Sequence, residues 1–448
     1  MAFYDIDGNV VSFDVPTDTT LSESGVPADG EATGKAIESL DVPRVYITGT
    51  LPTDKSQGEY SVSLTFKSAI TEFTSYATTK VQGDSSTLYA KKNYTLKLFK
   101  DSAHTTKDKH SFMGWKAYNK FVIKANWIDI THARNVIGAR IWSDMVRTRS
   151  DYASLPSRLL ATDNNGAING FQVMVYVNGE YYGRYCWNIT KDNMLNMDEN
   201  NSGHAMVQGQ DNTDLGCKFR NTSTTNWSDE LTDDLTHVKT RWQSILSFVS
   251  TASDADFVAN LGNYFSVPSL IDWYLFGLAF FAYDSYGKNQ SYLTYDGQYF
   301  ICSAYDMDNI LGMFWTGYMP FGATEPWYPH LRNVYTNTTT GAHTGEYTEG
   351  NYLYERIYNL LYTDLQVRWA ELRGHGGALS YANVDKHFED WCSRVTSDQM
   401  AEDYANTTAN GAFTAMADIP GGNVTTNNIK QIRAYIHDRL AFIDTELS

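Results

Sequence analysis

Cysteine, basic charge and long apolar runs are all scarce in this chain of 448 residues. The four cysteines, Cys186, Cys217, Cys302 and Cys392, stand far apart with no Cys-x-x-Cys pair. That spacing excludes a zinc ribbon and a dense disulfide framework, and it predicts buried thiols. Lys and Arg number 35 against 52 Asp and Glu, a net charge of -17. Such a surplus repels nucleic-acid phosphates and anionic membrane faces, so nucleic acid is not expected as a partner. Any phosphate the protein handles must be held by a local group of cations or by a metal ion. The most apolar run, residues 271–283, contains Asp272 and is shorter than the roughly 20 residues of a spanning helix, so membrane insertion is not expected. The start, MAFYDIDGNV, has no basic region followed by an apolar stretch, and no signal peptide is expected.

Apolar residues are plentiful at 42%, while charged ones reach only 19%, a balance that supports a large core. The aromatic share of 14%, with Asn and Thr crowding the predicted loops, fits either a large aromatic core or a surface that meets carbohydrate outside a cell.

Residues 1–42 read as an arm. Phe3 to Phe13 alternates around Asp7-Gly8-Asn9, a hairpin signal, and is followed by Pro16, Gly25, Pro27, Gly30 and Gly34 among polar residues. Such a stretch cannot build its own core. From Arg44 the pattern turns to strands: 44–49, 59–67, 94–99 and a hairpin over 171–187 around Asn178-Gly179. Between them, 131–149 has helical spacing, with Asp129 or Thr131 available as a cap. After about residue 200 the pattern is mainly helical, near 232–250, 267–282, 352–373, 382–397 and 426–446, interrupted by a β element over 290–304 around Asp296-Gly297. The Thr/Asn/Gly stretch from Thr336 reads as a long polar loop.

This order predicts an α+β protein with a short arm (1–42) and one domain (43–448). Its β-rich N-lobe would run over about 43–190 and its helical C-lobe over about 191–448, the two-lobed plan of a protein kinase. The late β element carries the chemistry. An apolar helix ends at Asp284, Asn289 follows, and Asp306 and Asp308 stand at the end of the hairpin. Phosphoryl transfer needs a carboxylate to orient the attacking hydroxyl and oxygen ligands for divalent metal, and kinases place an Asp and an Asn at this interval with a metal-binding Asp beyond a hairpin. Repulsion among three acidic groups itself argues for a cation.

Five further stretches occur in order: KKNYTLKLFKD (91–101) after QGDSS (82–86), NWIDITHARN (126–135), VNGEYYGRY (177–185), YDMDNILG (305–312) and the tail around RWAELRG (360–403). Together they resemble the CotH kinase family over roughly residues 44–445. The resemblance implies an atypical protein-kinase-like fold that uses ATP and Mg²⁺ or Mn²⁺ and transfers phosphate to protein hydroxyls. By matching position it implies Asp284 as the residue positioning the acceptor, and Asn289 and Asp306 as metal ligands with Asp308 assisting. Lys92 or Lys97 would contact phosphate, Gly83, Ser85 and Ser86 would form the phosphate turn, and Arg134 would brace the site. Two positions depart from the family pattern: Asn188-Ile189 stand where many members carry Glu, and Gly83 is the only glycine of the turn. They keep open an inactive, binding-only descendant. The arm resembles the leader of structural proteins of phages that infect Firmicutes. It implies a virion protein of a tail, baseplate or fibre, attached to other virion proteins through 1–42 and acting on a virion or host-surface protein. A bacterial spore-coat kinase would share the domain but leave the arm unexplained.

Overall fold

A computed structural model describes residues 42–83, 85–129, 131–313, 321–331, 349–395 and 429–448, together with the strand pairs 3–4 with 10–11 and 333–336 with 343–347 and the positions 399 and 403. The expected N-terminal hairpin has its strands in register, Phe3 opposite Val11 and Tyr4 opposite Val10, while the rest of the arm lies outside the described residues.

Seven strands close a barrel: β1 (Arg44–Thr48), β2 (Tyr60–Lys67), β3 (Glu72–Gln82), β4 (Asn93–Phe99), β5 (Lys120–Lys124), β6 (Gly170–Val177) and β7 (Glu180–Ile189). The spatial order is β1-β2-β3-β4-β5-β7-β6, and the parallel pairing of β1 with β6 closes it. Closure leaves no open sheet edge. Val45, Leu64, Phe66, Leu96, Phe121, Phe171 and Trp187 are buried on one side of the alternation, and rings of Phe66, Phe112 and Trp187 meet at 4.7 to 5.6 Å between centroids. Asn178 and Gly179 take φ of 53° and 92°, the left-handed pair that a two-residue hairpin demands. The eleven-residue β3 was not anticipated, because its sequence EFTSYATTKVQ carries Ser and Thr on its inward face as well as outside.

A second sheet of four strands runs β9-β8-β10-β11, from β8 (Ala205–Gly209), β9 (Trp227–Asp229), β10 (Ser291–Thr294) and β11 (Ile301–Ser303). The late hairpin is therefore one half of a sheet, and β8 and β9 correct the reading of this region as helical. Around it lie α1 (Arg134–Arg147), α2 (Thr236–Thr251), α3 (Val267–Phe280), α4 (Tyr352–Leu360), α5 (Tyr362–Arg373), α6 (Tyr381–Cys392) and α7 (Ile429–Glu446). Every residue of α3 from Ser269 onward is buried, as expected of a helix apolar on all faces. Its one charged residue, Asp272, is paired with Arg368 at 2.8 Å. The cap expected for α1 is absent: Ala133 occupies the N-cap, and Asp129 instead accepts from the Thr131 amide and hydroxyl. The stretch read as a polar loop from Thr336 includes a strand pair, Asn333–Thr336 with His343–Tyr347, and its remaining positions up to 348 lie outside the described residues.

By contacts the chain forms two compact units that interleave along the sequence. The first takes the described residues within 1–132, 170–190 and 388–418; the second takes those within 133–169, 191–387 and 419–448. The boundary expected near 190 is one of these crossings, and α1 belongs with the second sheet and its helices. Cys186, Cys217 and Cys302 are buried and Cys392 is half-buried, with no disulfide among the described residues.

Candidate functional site

In the second unit, α3 ends with Phe281 in the left-handed conformation (φ 52°), and the chain turns at once into the short helical turn Tyr283–Ser285 that presents Asp284. The half-buried Asp284 carboxylate is gripped by three asparagine amides. Asn212 Nδ2 donates to Oδ1 at 2.5 Å, while Asn289 Nδ2 and Asn309 Nδ2 donate to Oδ2 at 3.1 and 2.9 Å. A carboxylate has about four lone-pair directions, so one on Oδ1 stays open. Burial raises the Asp284 carboxyl above its ordinary range and the charge of Asp306 adds to this, against the pull of the Asn309 and Asn212 amides and of Lys288.

Asn289 and Asp306 are both held at positive φ, 59° and 57°, a conformation that costs a non-glycine residue free energy and that clusters at functional sites. The turn at Asp306 is fastened to α1. Arg134, fully buried, donates through Nε to the Ile310 carbonyl at 3.0 Å, and the Met307 amide donates to Asn135 Oδ1 at 3.1 Å. Gly138 makes the approach possible, since a Cβ there would stand 2.8 Å from Ile310 Cδ1. Arg134 thus braces the Asp306 turn through its backbone.

Among the described residues, no group of three or more His, Cys, Asp and Glu side chains converges as a metal centre. The oxygen donors available are nevertheless of the right kind. Asp306 is half-buried and makes no hydrogen bond or ion pair among the described residues. Asn289 and Asn309 spend their NH₂ groups on Asp284, which leaves their amide oxygens as neutral ligands. Asp308 is half-buried in the same turn. Oxygen donors of this kind are what a hard divalent cation takes as ligands.

The first unit holds the other predicted residues, and it redistributes their roles. Lys97 is half-exposed on β4 and pairs with Glu59 at 2.6 Å. Lys92 donates to the carbonyls of Thr87, at 2.7 Å, and of Tyr89, which makes it a brace of the turn that follows Gly83. Gly83 has φ 114°, and a Cβ there would collide with Ser86 Oγ at 2.0 Å. Ser86 Oγ accepts from Asn93 at 3.1 Å, whereas Asp84 and the side chain of Ser85 lie outside the described residues.

The lysine that sequence reasoning passed over is Lys91. Its ammonium donates to the Arg184 carbonyl at 2.6 Å, stands 3.5 Å from Asp403 Oδ1 and lies 4.7 Å over the Tyr185 ring. Asp403 also accepts from the Arg184 amide at 2.7 Å and approaches Arg184 Nε at 3.4 Å and His132 Nε2 at 3.7 Å. Burial alone would raise the Asp403 carboxyl, but Lys91, His132 and Arg184 hold it well below the usual carboxylate range. Burial, then Arg184, lowers His132 to about 4, so its ring is neutral at pH 7, and burial likewise lowers Lys91 against the pull of Asp403. Gly183 is the empty space that admits Lys91: a Cβ there would lie 2.9 Å from Lys91 Cε. Asn188 is buried in β7 with its Oδ1 unpartnered, and it fits only because residue 170 is glycine, where a Cβ would stand 1.9 Å from that atom.

The family model described as CotH kinase protein matches residues 79–443, well over half of the chain. The chain belongs to the CotH kinase family. The match begins inside β3, so β1 and β2, which complete the barrel, precede the CotH segment. All the paired groups around Asp284 and around Asp403 lie within it. No curated protein matches the chain. Of the residues to which sequence reasoning gave no role, Asn309, Asn135 and Asp403 fall within stretches it had marked, 305–312, 126–135 and 360–403, whereas Asn212 carries no local signal.

Proposed function

We propose that this CotH protein is an ATP-dependent protein kinase of two-lobed, kinase-like architecture. The observation that supports it most is the Asp284 carboxylate, fixed by three neutral amides and, among the described residues, open at one lone pair of Oδ1, with the charge of Asp306 acting on it. Cations would fix a carboxylate equally well but strip its affinity for a proton; amides leave more of it. In the proposed reaction Asp284 orients an acceptor hydroxyl and receives its proton as the oxygen bonds to the γ-phosphorus of ATP. The bond from that phosphorus to the bridging oxygen breaks, and ADP leaves. Asp306 and Asn289, with Asp308, would hold Mg²⁺ or Mn²⁺, whose charge offsets that of the phosphates. For the phosphate-contacting lysine we assign Lys91 in place of Lys97, because kinases hold that lysine in an ion pair with a carboxylate and the Lys91–Asp403 pair is the more enclosed one, whereas Lys97 pairs with Glu59 at the surface and Lys92 donates to carbonyls of its own loop.

The arm supports a place in a phage virion, on a tail, baseplate or fibre, with a virion or host-surface protein as acceptor. The test is incorporation of labelled phosphate from ATP, with Mg²⁺ or Mn²⁺, into the protein itself and into particle proteins. Asp284→Asn is expected to lower transfer by about 100-fold or more while calorimetry shows nucleotide affinity little changed. Asp306→Asn is expected to abolish metal-dependent ATP binding. No transfer by the parent with any metal would favour a CotH-like binding module without turnover.

A further inference from the structure

We infer that Asn212 is the positioning residue for the base: it fixes the one carboxylate oxygen that has a vacant lone pair and ties it to the loop carrying Asn289. The inference rests on the kinase reading above. Asn212 lies outside every stretch that sequence reasoning marked, in the loop that leaves β8. Its amide is used at both ends: Nδ2 donates to Asp284 Oδ1 at 2.5 Å, and Oδ1 accepts from the Lys288 backbone amide at 2.6 Å. One planar group therefore sets the distance between Asp284 and the residue preceding Asn289.

The loop that carries Asn212 is itself rigidly fastened. Asp211 Oδ1 accepts from the Thr213 amide and hydroxyl, each at 2.7 Å, and Asp214 accepts from the Cys217 amide at 2.8 Å and from Asn226 Nδ2 at 3.0 Å. Backbone contact replaces side chains where the two loops meet. The Asn289 amide donates to the Gly209 carbonyl at 3.0 Å, a Cβ on Gly209 would stand 2.0 Å from the Gly287 carbonyl oxygen, and one on Gly287 would stand 2.7 Å from Asn212 Cα. Neither loop can shift without the other.

The two donors on Oδ2 leave that oxygen saturated, so a hydroxyl must approach Oδ1, the atom Asn212 holds. A group that only braced the loop would need its acceptor side alone. A group that aims the carboxylate needs its donor side too, and substitution separates the two. Asn212→Asp keeps an acceptor for the Lys288 amide and loses the donor; Asn212→Ala loses both.

The experiment measures kcat and the KM for Mn²⁺-ATP with casein as a hydroxyl-rich acceptor, alongside urea midpoints. Both variants are expected to lose about 10- to 100-fold in kcat with KM for ATP within about twofold, because aim and not nucleotide binding is lost. Parent-like kcat in Asn212→Asp, or a loss confined to KM, would overturn the assignment. A parent that transfers no phosphate overturns the kinase reading and the catalytic purpose of Asn212 with it. The contact is read without activity in the double-mutant cycle of Asn212→Ala with Asp284→Asn: non-additive midpoints are expected, and additive ones would show that the two side chains do not act together.

Discussion

Asp284 and Asp403 carry the same charge in opposite settings. Three amides surround Asp284, which forms no ion pair among the described residues, and burial leaves its carboxyl raised against the pull of Lys288. Lys91, Arg184 and His132 surround Asp403 and hold its carboxyl well below the ordinary range. Both carboxylates are immobilised, but only the first has its affinity for a proton raised. The second is held by its pair with Lys91 and by Arg184 and His132.

Matched isosteric substitutions break this comparison most sharply. Asp403→Asn strands Lys91 and Arg184 without their counter-charge and is expected to cost about 3–5 kcal/mol in urea unfolding. Asp284→Asn, at a site where burial already disfavours the charge, should change stability by no more than about 1 kcal/mol. Equal losses at the two positions would erase the distinction between them.

Acid sharpens it further. His132 is lowered to about 4 in the fold against an ordinary 6.5, through burial first and then Arg184. The unfolded chain therefore takes up a proton that the folded chain refuses as pH falls from about 6.5 to 4. Stability is full above that window and should drop across it by about 3 kcal/mol. Asp403, with its folded value below the unfolded one, adds its own loss only below that range. Urea midpoints from pH 7.5 to 4.5 should fall steeply in the parent and less so in His132→Gln; parallel slopes would remove His132 from the account.

The smallest effect belongs to Lys97. Its pair with Glu59 is a surface contact of the kind that contributes less than about 1 kcal/mol. Lys97→Met should therefore barely move the unfolding midpoint, and it should leave ATP affinity unchanged where Lys91→Met lowers it. A tenfold loss of ATP affinity in Lys97→Met would restore Lys97 as the phosphate lysine.

Much of this was legible in the sequence because it is encoded within a few residues. Asn178-Gly179 announced its hairpin through the φ values that only such a pair adopts readily, and the apolar run before Asp284 announced a buried helix, which ends at Phe280, four residues short of the expected Asp284. The Asp284, Asn289 and Asp306 spacing was legible for the same reason, since one turn and one hairpin carry all three. The strand β3 and the pair β8 and β9 were missed, because Thr and Ser on inward faces and three- to five-residue strands blur the alternation.

The sequence by itself therefore determined the α+β class, the CotH resemblance and the local neighbours of Asp284. Only the tertiary structure decided which partners they take. Asn212 meets Asp284 from 72 residues away and Arg184 meets Asp403 from 219, separations at which neither spacing nor periodicity carries information. Adjacent lysines differ for the same reason. Lys91 is buried because Gly183, on another strand, leaves room for it and Asp403 answers its charge, while Lys92, one residue on, turns to the carbonyls of its own loop. Local chemistry fixes where a side chain starts, and long-range packing fixes what it touches.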